Sequence, residues 1–456
     1  MLKKVFIAFL LILTTQIVSS QDTVYLNLNQ AIEMAMEQNQ LIKIFQHRIE
    51  NADAKLSEMK SNFYPRIIAE GIFAYNSDPN ISATKGEFNH IYNDLISDEE
   101  IRKILIEDFP LPPKDMTLIK GKEFFYKTNI SVYQPLSQLT TINTGKKVAD
   151  IDLKISNLEY KDVVSKITLG INELFYGILI EEKNVEVARL NLEYAVAEYN
   201  DAKNAYNSGE VLMIAVTALK AEIYEKEQEL LETQNTLESY RYSFMQLIGL
   251  ELNTLPVLVL DELNLEAFNE IEEYYTKALE NNYELGISNS TKDKAILGIT
   301  AAKKAYIPEL TYFAQYNYNQ GIPLYPDNYL ITGLNLSWTI FAAGERSSLI
   351  KQRNALFNEA SENYSYKVKQ LKTEVHKAYL NLVYAKKLIQ TAEKALEART
   401  EQVILTKNAL EEGQVLPSLM IEAKADFAKA EADVLASNLN YLIQFAKLKK
   451  LIGGEE

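Results

Sequence analysis

The chain has 456 residues, 16 of them Gly, 11 Pro and none Cys, and its formal net charge is −15. Gly and Pro together reach about half of their usual share, so turns are few and the regular elements long. The lack of Cys excludes a disulfide scaffold, a thiolate zinc site and a cysteine nucleophile, and three scattered histidines (His47, His90 and His376) give no metal spacing; the acidity argues against nucleic acid as a partner, because phosphate repels it.

Met1–Ser20 reads as a secretory signal. Lys3 and Lys4 precede the apolar run Val5–Leu13, and Val18 and Ser20 stand at −3 and −1 of a cleavage before Gln21. About 14 apolar residues are too few for a ~20-residue membrane span. No Cys follows the cleavage, so the expected mature chain is exported and not lipidated. No later window of about 18 apolar residues is evident, so any membrane passage would use strands.

Beyond the signal the expected order is a helix over Leu28–Asn62, a strand over Arg66–Asn76, a polar loop over Ser77–Phe124 and a strand over Tyr126–Tyr133. Within the loop only Asp98–Ile106 reads as a helix. A long helix runs from about Gly145 to Ser208, turns at Gly209 and returns over Val211–Ile248. After a connection at 256–265 come a helix over Ala267–Ala305, strands over Glu309–Asn319 and Tyr329–Phe341, a long helix over Glu345–Glu411, a turn at Gly413 and a helix over Pro417–Leu451. Residues 21–255 and 266–456 thus form two structural repeats.

The repetition is visible in the letters. Asn207-Ser-Gly-Glu-Val-Leu212 matches Glu411-Glu-Gly-Gln-Val-Leu416, and Leu247-Ile-Gly249 matches Leu451-Ile-Gly453, both 204 residues apart. Glu37-Gln-Asn39 matches Glu280-Asn-Asn282, and Tyr64-Pro65 matches Ile307-Pro308, both at 243. The difference of offsets locates an insertion in the first half, within 77–124. Between these markers a 3-4 apolar rhythm, broken at Glu181 and Arg399, specifies long helices packed as coiled coils.

The four strands alternate with period two. Ile67, Ala69, Phe73 and Tyr75 share one face; so do Thr128, Ile130 and Val132; Leu310, Tyr312, Ala314, Tyr316 and Tyr318; and Leu330, Leu334, Leu336, Trp338 and Ile340. Apolar-out, polar-in segments of about ten residues ending in aromatics suit a transmembrane β-barrel, with Tyr75, Tyr133, Tyr316, Tyr318 and Trp338 as girdle candidates at the lipid–water boundary. Four strands cannot close a barrel, and an open edge in lipid is forbidden. Other copies must meet the edges: three give twelve strands, and two or four would also close. At 1.5 Å per residue each long helix would span roughly 100 Å.

This layout resembles the TolC family of outer-membrane efflux channels. The resemblance is carried by Leu26-Asn-Leu-Asn-Gln-Ala-Ile32 with Asn39, Tyr64-Pro65, Tyr133-Gln-Pro135 and the two Gly-containing tips, in this order and duplicated, and it covers the mature chain. It implies a mixed fold: a homotrimeric 12-stranded membrane β-barrel continued through the periplasm by a long α-helical barrel, in the outer membrane of a Gram-negative bacterium. It also implies passive exit for substrates delivered by an inner-membrane pump (RND or ABC-type) and a periplasmic adaptor, in efflux or type I secretion. By the same resemblance Gly209, Val211, Leu212, Gly413, Val415 and Leu416 would meet the adaptor. Carboxylates six and nine residues after the second tip glycine would narrow the entrance. Those positions are Leu419 and Glu422, and Asp426 lies one turn further. A structural coiled-coil protein of the envelope is the alternative reading. No phosphate loop, H-E-x-x-H pair or nucleophile–base set supports an enzyme, and no cofactor is expected.

Overall fold

The computed structural model describes residues 23–83, 90, 96–108, 116–251, 254–263, 265, 267–322 and 326–454; the expected signal lies outside them. In chain order the elements are β1 (Thr23–Leu26), α1 (Leu28–Gln38), α2 (Gln40–Ser61), β2 (Arg66–Tyr75), β3 (Ile81–Ala83), α3 (Glu99–Asp108), β4 (Met116–Ile119), β5 (Phe124–Pro135) and α4 (Leu139–Asn207). Then follow α5 (Met213–Ile248), β6 (Leu255–Leu258), α6 (Ile271–Asn281), α7 (Tyr283–Lys304), β7 (Glu309–Gln320), β8 (Asn328–Ser337), α8 (Glu345–Glu411) and α9 (Pro417–Leu451). No proline interrupts 136–255 or 327–416, which lets α4 and α8 run for 69 and 67 residues.

The chain divides into two compact units. One takes the chain up to Ala52, Asp152–Asp293 and everything from Asn358; the other takes Asp53–Ile151 and Lys294–Phe357. In the first unit two apolar cores form. One contains Ala31, Ala35, Ile42, Ile167, Ile171, Ile178, Leu237 and Phe244. The other contains Tyr274, Ala278, Leu285, Leu371, Val375, Leu382, Tyr441 and Leu448. Each of the first set has its counterpart in the second at an offset of 243 (α1, α2) or 204 (α4, α5). One stretch of α4 is apolar enough to pass for a membrane span, against the expectation that no such window follows the signal. Ile167, Ile171, Phe175 and Ile178 of this helix belong to the first core.

Gly170 and Gly177, in the middle of α4, permit the close approach of α5. A Cβ on them would stand 3.1 Å from Leu247 and 2.9 Å from Tyr240, which are likewise seven residues apart.

The expected single helices 28–62 and 267–305 are each broken once, at Asn39 and Asn282. Both residues leave the helix with ψ near +123°. Asn39 donates from Nδ2 to the Leu247 carbonyl (2.7 Å) and accepts from the amide of Leu41. Asn282 donates to the Leu451 carbonyl (3.0 Å) and accepts from the amide of Leu285. The side chain thereby satisfies the end of one helix and the start of another together. Beside each, a left-handed glycine makes room: Gly249 packs on Gln38, Gly453 on Asn281. A short parallel pair, β1 with β6, was also not expected from sequence.

The second unit holds a four-stranded antiparallel sheet in the order β2-β5-β7-β8. The eighth strand ends at Ser337, not Phe341, so Trp338–Phe341 follow the strand rather than extend it. In the insertion, α3 runs to Asp108 and an antiparallel pair, β3 with β4, adds order that the sequence did not suggest.

Candidate functional site

The register of the sheet fixes which side chains share a face. One face carries the rows Ile67–Val132–Ala314–Thr332, Ala69–Ile130–Tyr316–Leu330 and Gly71–Thr128–Tyr318–Asn328. The other carries Ile68–Ser131–Gln315–Ile331, Glu70–Asn129–Asn317–Tyr329 and Ile72–Lys127–Asn319. The burial is inverted relative to a soluble sheet. Ile67 and Phe73 are 70% and 74% exposed and Leu330, Leu334 and Leu336 more than 60%, whereas Ser131, Asn317 and Asn319 are each 2% exposed. Asn129 Oδ1, Ser131 Oγ and Asn317 Nδ2 are buried with no hydrogen-bond partner among the described residues. An exposed apolar face opposite a crowded polar one is the pattern of a sheet whose outside solvent is not water.

Tyr75, Tyr316 and Tyr318 lie on the apolar face, as the alternation requires. Tyr133 does not: it pairs with Arg66 and Phe313, on the polar side. The parity of β5 already contained this, since Ile130 and Val132 face the other way. Trp338 is exposed just past β8. At the loop end of the sheet the apolar face gathers two further aromatics, Phe124 and Tyr126. Phe124 lies 5.9 Å from Phe73 and 5.2 Å from Tyr75 between ring centroids, and Tyr126 lies 5.8 Å from Tyr318.

The two helical turns, in the other unit, are copies of one another. Glu210 N–H donates to the Ala205 carbonyl and Gln414 N–H to the Ala409 carbonyl, with Gly209 and Gly413 left-handed at φ +80° and +72°. This is the Schellman C-cap, and it requires the glycines. Beyond the first turn Leu212, Met213 and Ile214 are exposed, Leu212 and Ile214 by about three quarters; Val211 is half-buried. Beyond the second, Leu416 and Leu419 are exposed and Val415 is half-buried, while Pro417 starts the return helix. Met213 and Ile214 had not been singled out, although an exposed apolar run beside a polar turn is a legible signal.

The two candidate entrance carboxylates have different surroundings. Asp426 Oδ2 accepts from Arg399 Nη1 at 2.6 Å, tying α9 to α8. The rhythm break at Arg399 thus has a partner. Glu422 instead joins a group of like charges contributed by α4 and α5. Burial, followed by the charges of Glu198 and Glu422, pushes the Tyr194 phenol up to about 12. Glu198 is also raised, first by burial and then by Glu222, with Glu422 and Asp201 adding to it. No cluster of His, Cys, Asp and Glu among the described residues is arranged to hold a metal ion.

Comparison with known proteins agrees with this geometry. Residues 274–454 match the sequence family described as outer membrane efflux protein. Over 339 residues the chain is 22% identical to outer membrane protein TolC of Vibrio cholerae, covering 71% of this chain and 74% of that protein. The CmeC outer membrane channel of Campylobacter jejuni superposes with a TM-score of 0.72 at 14% identity, over 94% of this chain and 85% of that one. VceC of Vibrio cholerae gives 0.70 at 13% identity, over 94% and 96%. At such identities the structural likeness speaks to the fold.

Proposed function

We propose, from the premise that this chain belongs to the outer membrane efflux protein family, that it assembles as a trimer into an outer-membrane duct giving passive exit to substrates. The observation that carries the reading is the inverted sheet, with its apolar face exposed and Ser131, Asn317 and Asn319 of the two central strands buried on the other. Its two edge strands, β2 and β8, have no partner strand beyond them among the described residues. Pairing β8 of one copy with β2 of the next satisfies both edges. Three copies make twelve strands, with Tyr75, Phe124 and Tyr318 in the outer aromatic girdle.

The matched offsets of the two cores and the two turns support an internal duplication, with each half supplying one hairpin and one helical arm. The helices lie in the periplasm in this reading. The exposed apolar residues beside Gly209 and Gly413 dock a periplasmic adaptor served by an inner-membrane pump, and Glu422 contributes to a cation-attracting entrance. The channel carries out no covalent chemistry, and gradients and pump supply the direction. Fractionation tests the reading. A heat-resistant oligomer in detergent extracts of outer membranes is expected, and a soluble periplasmic species would favour the structural coiled-coil alternative instead.

A further inference from the structure

The apolar stretch of α4 is only partly covered by the first core. Beside the core positions Ile167 and Ile171, a second face of the helix, with Tyr160, Val164, Thr168, Leu169 and Asn172, lines an open groove of about 540 Å³. Ile32 and Met36 of α1 and Ala446 of α9 form its other walls. From Tyr160 to Asn172 the groove follows α4 for roughly 18 Å, at 1.5 Å per residue. Lys447 of α9 holds Glu173 at 3.0 Å, which sets the last turn of α9 beside the Asn172 end. That turn brings Lys449 and Lys450 to the groove, and Lys161 stands at the opposite end.

The chain has 62 acidic side chains against 47 Lys and Arg, yet three lysines line this groove and, among the described residues, no Asp or Glu does. Tyr283, at the joint beside Asn282, also lines it and donates its hydroxyl to the Gly453 carbonyl at 2.7 Å. The next residue, Glu284, is committed elsewhere, bridging Lys166 at 3.0 Å and Lys367 at 3.5 Å.

The other half closes the corresponding gap. At the offsets of 243 and 204, Tyr275 stands for Ile32 and His376 for Asn172. The Tyr275 hydroxyl and His376 Nδ1 are 2.9 Å apart, so α6 and α8 are bridged there. The lysines are not repeated either: Met245 and Gln246 stand for Lys449 and Lys450, and Ser365 for Lys161. The repeat therefore requires the groove to be neither open nor basic.

We propose that this groove binds a single-chain amphiphilic anion. Its alkyl chain lies along α4 against Ile32, Met36, Val164 and Leu169, and its carboxylate sits at Lys449 and Lys450. Apolar walls with a few polar groups at one end are how small-ligand sites hold and orient their ligands. Burial of the chain supplies affinity, and the lysines select the head group. The site goes beyond the channel reading and does not depend on it.

The test is equilibrium binding of radiolabelled laurate, at about pH 7.5, to the full-length protein in nanodiscs of a neutral lipid, counted against empty nanodiscs. Saturable binding of one laurate per chain is expected, with uncharged dodecanol competing roughly tenfold more weakly or worse. Lys449→Gln with Lys450→Gln should weaken laurate binding roughly five- to tenfold. Ile32→Tyr with Asn172→His writes the bridge of the second half into the first and should abolish binding, with the wild-type melting temperature showing that the fold is kept. The lysine variant leaves the apolar packing alone, so it decides the question should the bridged one misfold. No saturable binding to wild type, dodecanol competing as well as laurate, or wild-type affinity in either folded variant would overturn the site. Conductance plays no part in these readouts, so the channel reading stands or falls separately.

Discussion

Glu222 and Asp426 are 204 residues apart, each thirteen residues beyond its tip glycine, yet their surroundings are opposite. Asp426 is paired with Arg399. Glu222 adds to a group of acids with Glu198 and Glu422, and the position matching Arg399 is the buried Ala195. The joints repeat the contrast. Asn282 is reinforced by Tyr283 and by the Glu284 bridge, whereas Asn39 has its own hydrogen bonds and apolar neighbours. The two halves match in backbone pattern while their charges differ. Near the second turn Asp426 is held by Arg399, near the first the acids around Glu198 face one another, and further from the turns the first half has its own helix-to-helix pair, Arg241 with Glu182.

Six substitutions test this contrast between the halves. The largest effect should come from the glycines at the joints. A Cβ on Gly453 would run into the Asn281 carbonyl oxygen, and one on Gly249 into the Gln38 Cβ at 2.7 Å. With φ above +80° at both, Gly453→Ala should cost about 2–4 kcal/mol in urea unfolding and Gly249→Ala somewhat less. Equal losses would make the two joints the same. Next, Asn39→Ala should cost about 1–3 kcal/mol, because it leaves the half-buried Leu247 carbonyl without its side-chain donor. Asn282→Ala should cost less, the joint being held by other contacts as well. A larger loss at Asn282 would reverse the assignment.

A smaller effect is expected from Glu198. Its folded pKa is raised, so the folded state binds the proton more tightly than the unfolded one. Stability then falls as pH rises through the range just above the ordinary glutamate value, and is regained on acidification. Glu198→Gln should raise the melting temperature at pH 7 and flatten its dependence on pH; an unchanged slope would remove Glu198 from the account. The smallest effect belongs to Asp426→Asn, a partly exposed pair worth roughly 0.2–1 kcal/mol. A loss above that range would mean that the Arg399 contact anchors the tip.

The sheet was the most legible part of the molecule, because a period of two assigns faces without knowledge of partners. Even the misplacement of Tyr133 follows from counting along β5. The end of β8 was less so, since the alternation of Trp338 and Ile340 continues past the last paired residue, Ser337. The joints were hidden for another reason. An asparagine inside an apolar helical rhythm carries no local signal of a break, and what stabilises it is a carbonyl 208 residues away at Asn39 or 169 away at Asn282. The duplicated Asn39 and Asn282 acquire their role only from these hydrogen bonds. The acidic group around Tyr194 was missed because its members come from three helices whose register only packing determines.

In the proposed reading this chain forms a conducting, cation-preferring passage through lipid. The direct measurement is the reversal potential of the purified full-length protein in planar bilayers under a KCl gradient, for wild type and Glu422→Lys. Discrete cation-selective steps are expected for wild type and a lower cation preference for the variant. Steps of unchanged selectivity would remove Glu422 from the entrance, and a bilayer that stays silent with well-assembled protein would contradict the channel itself.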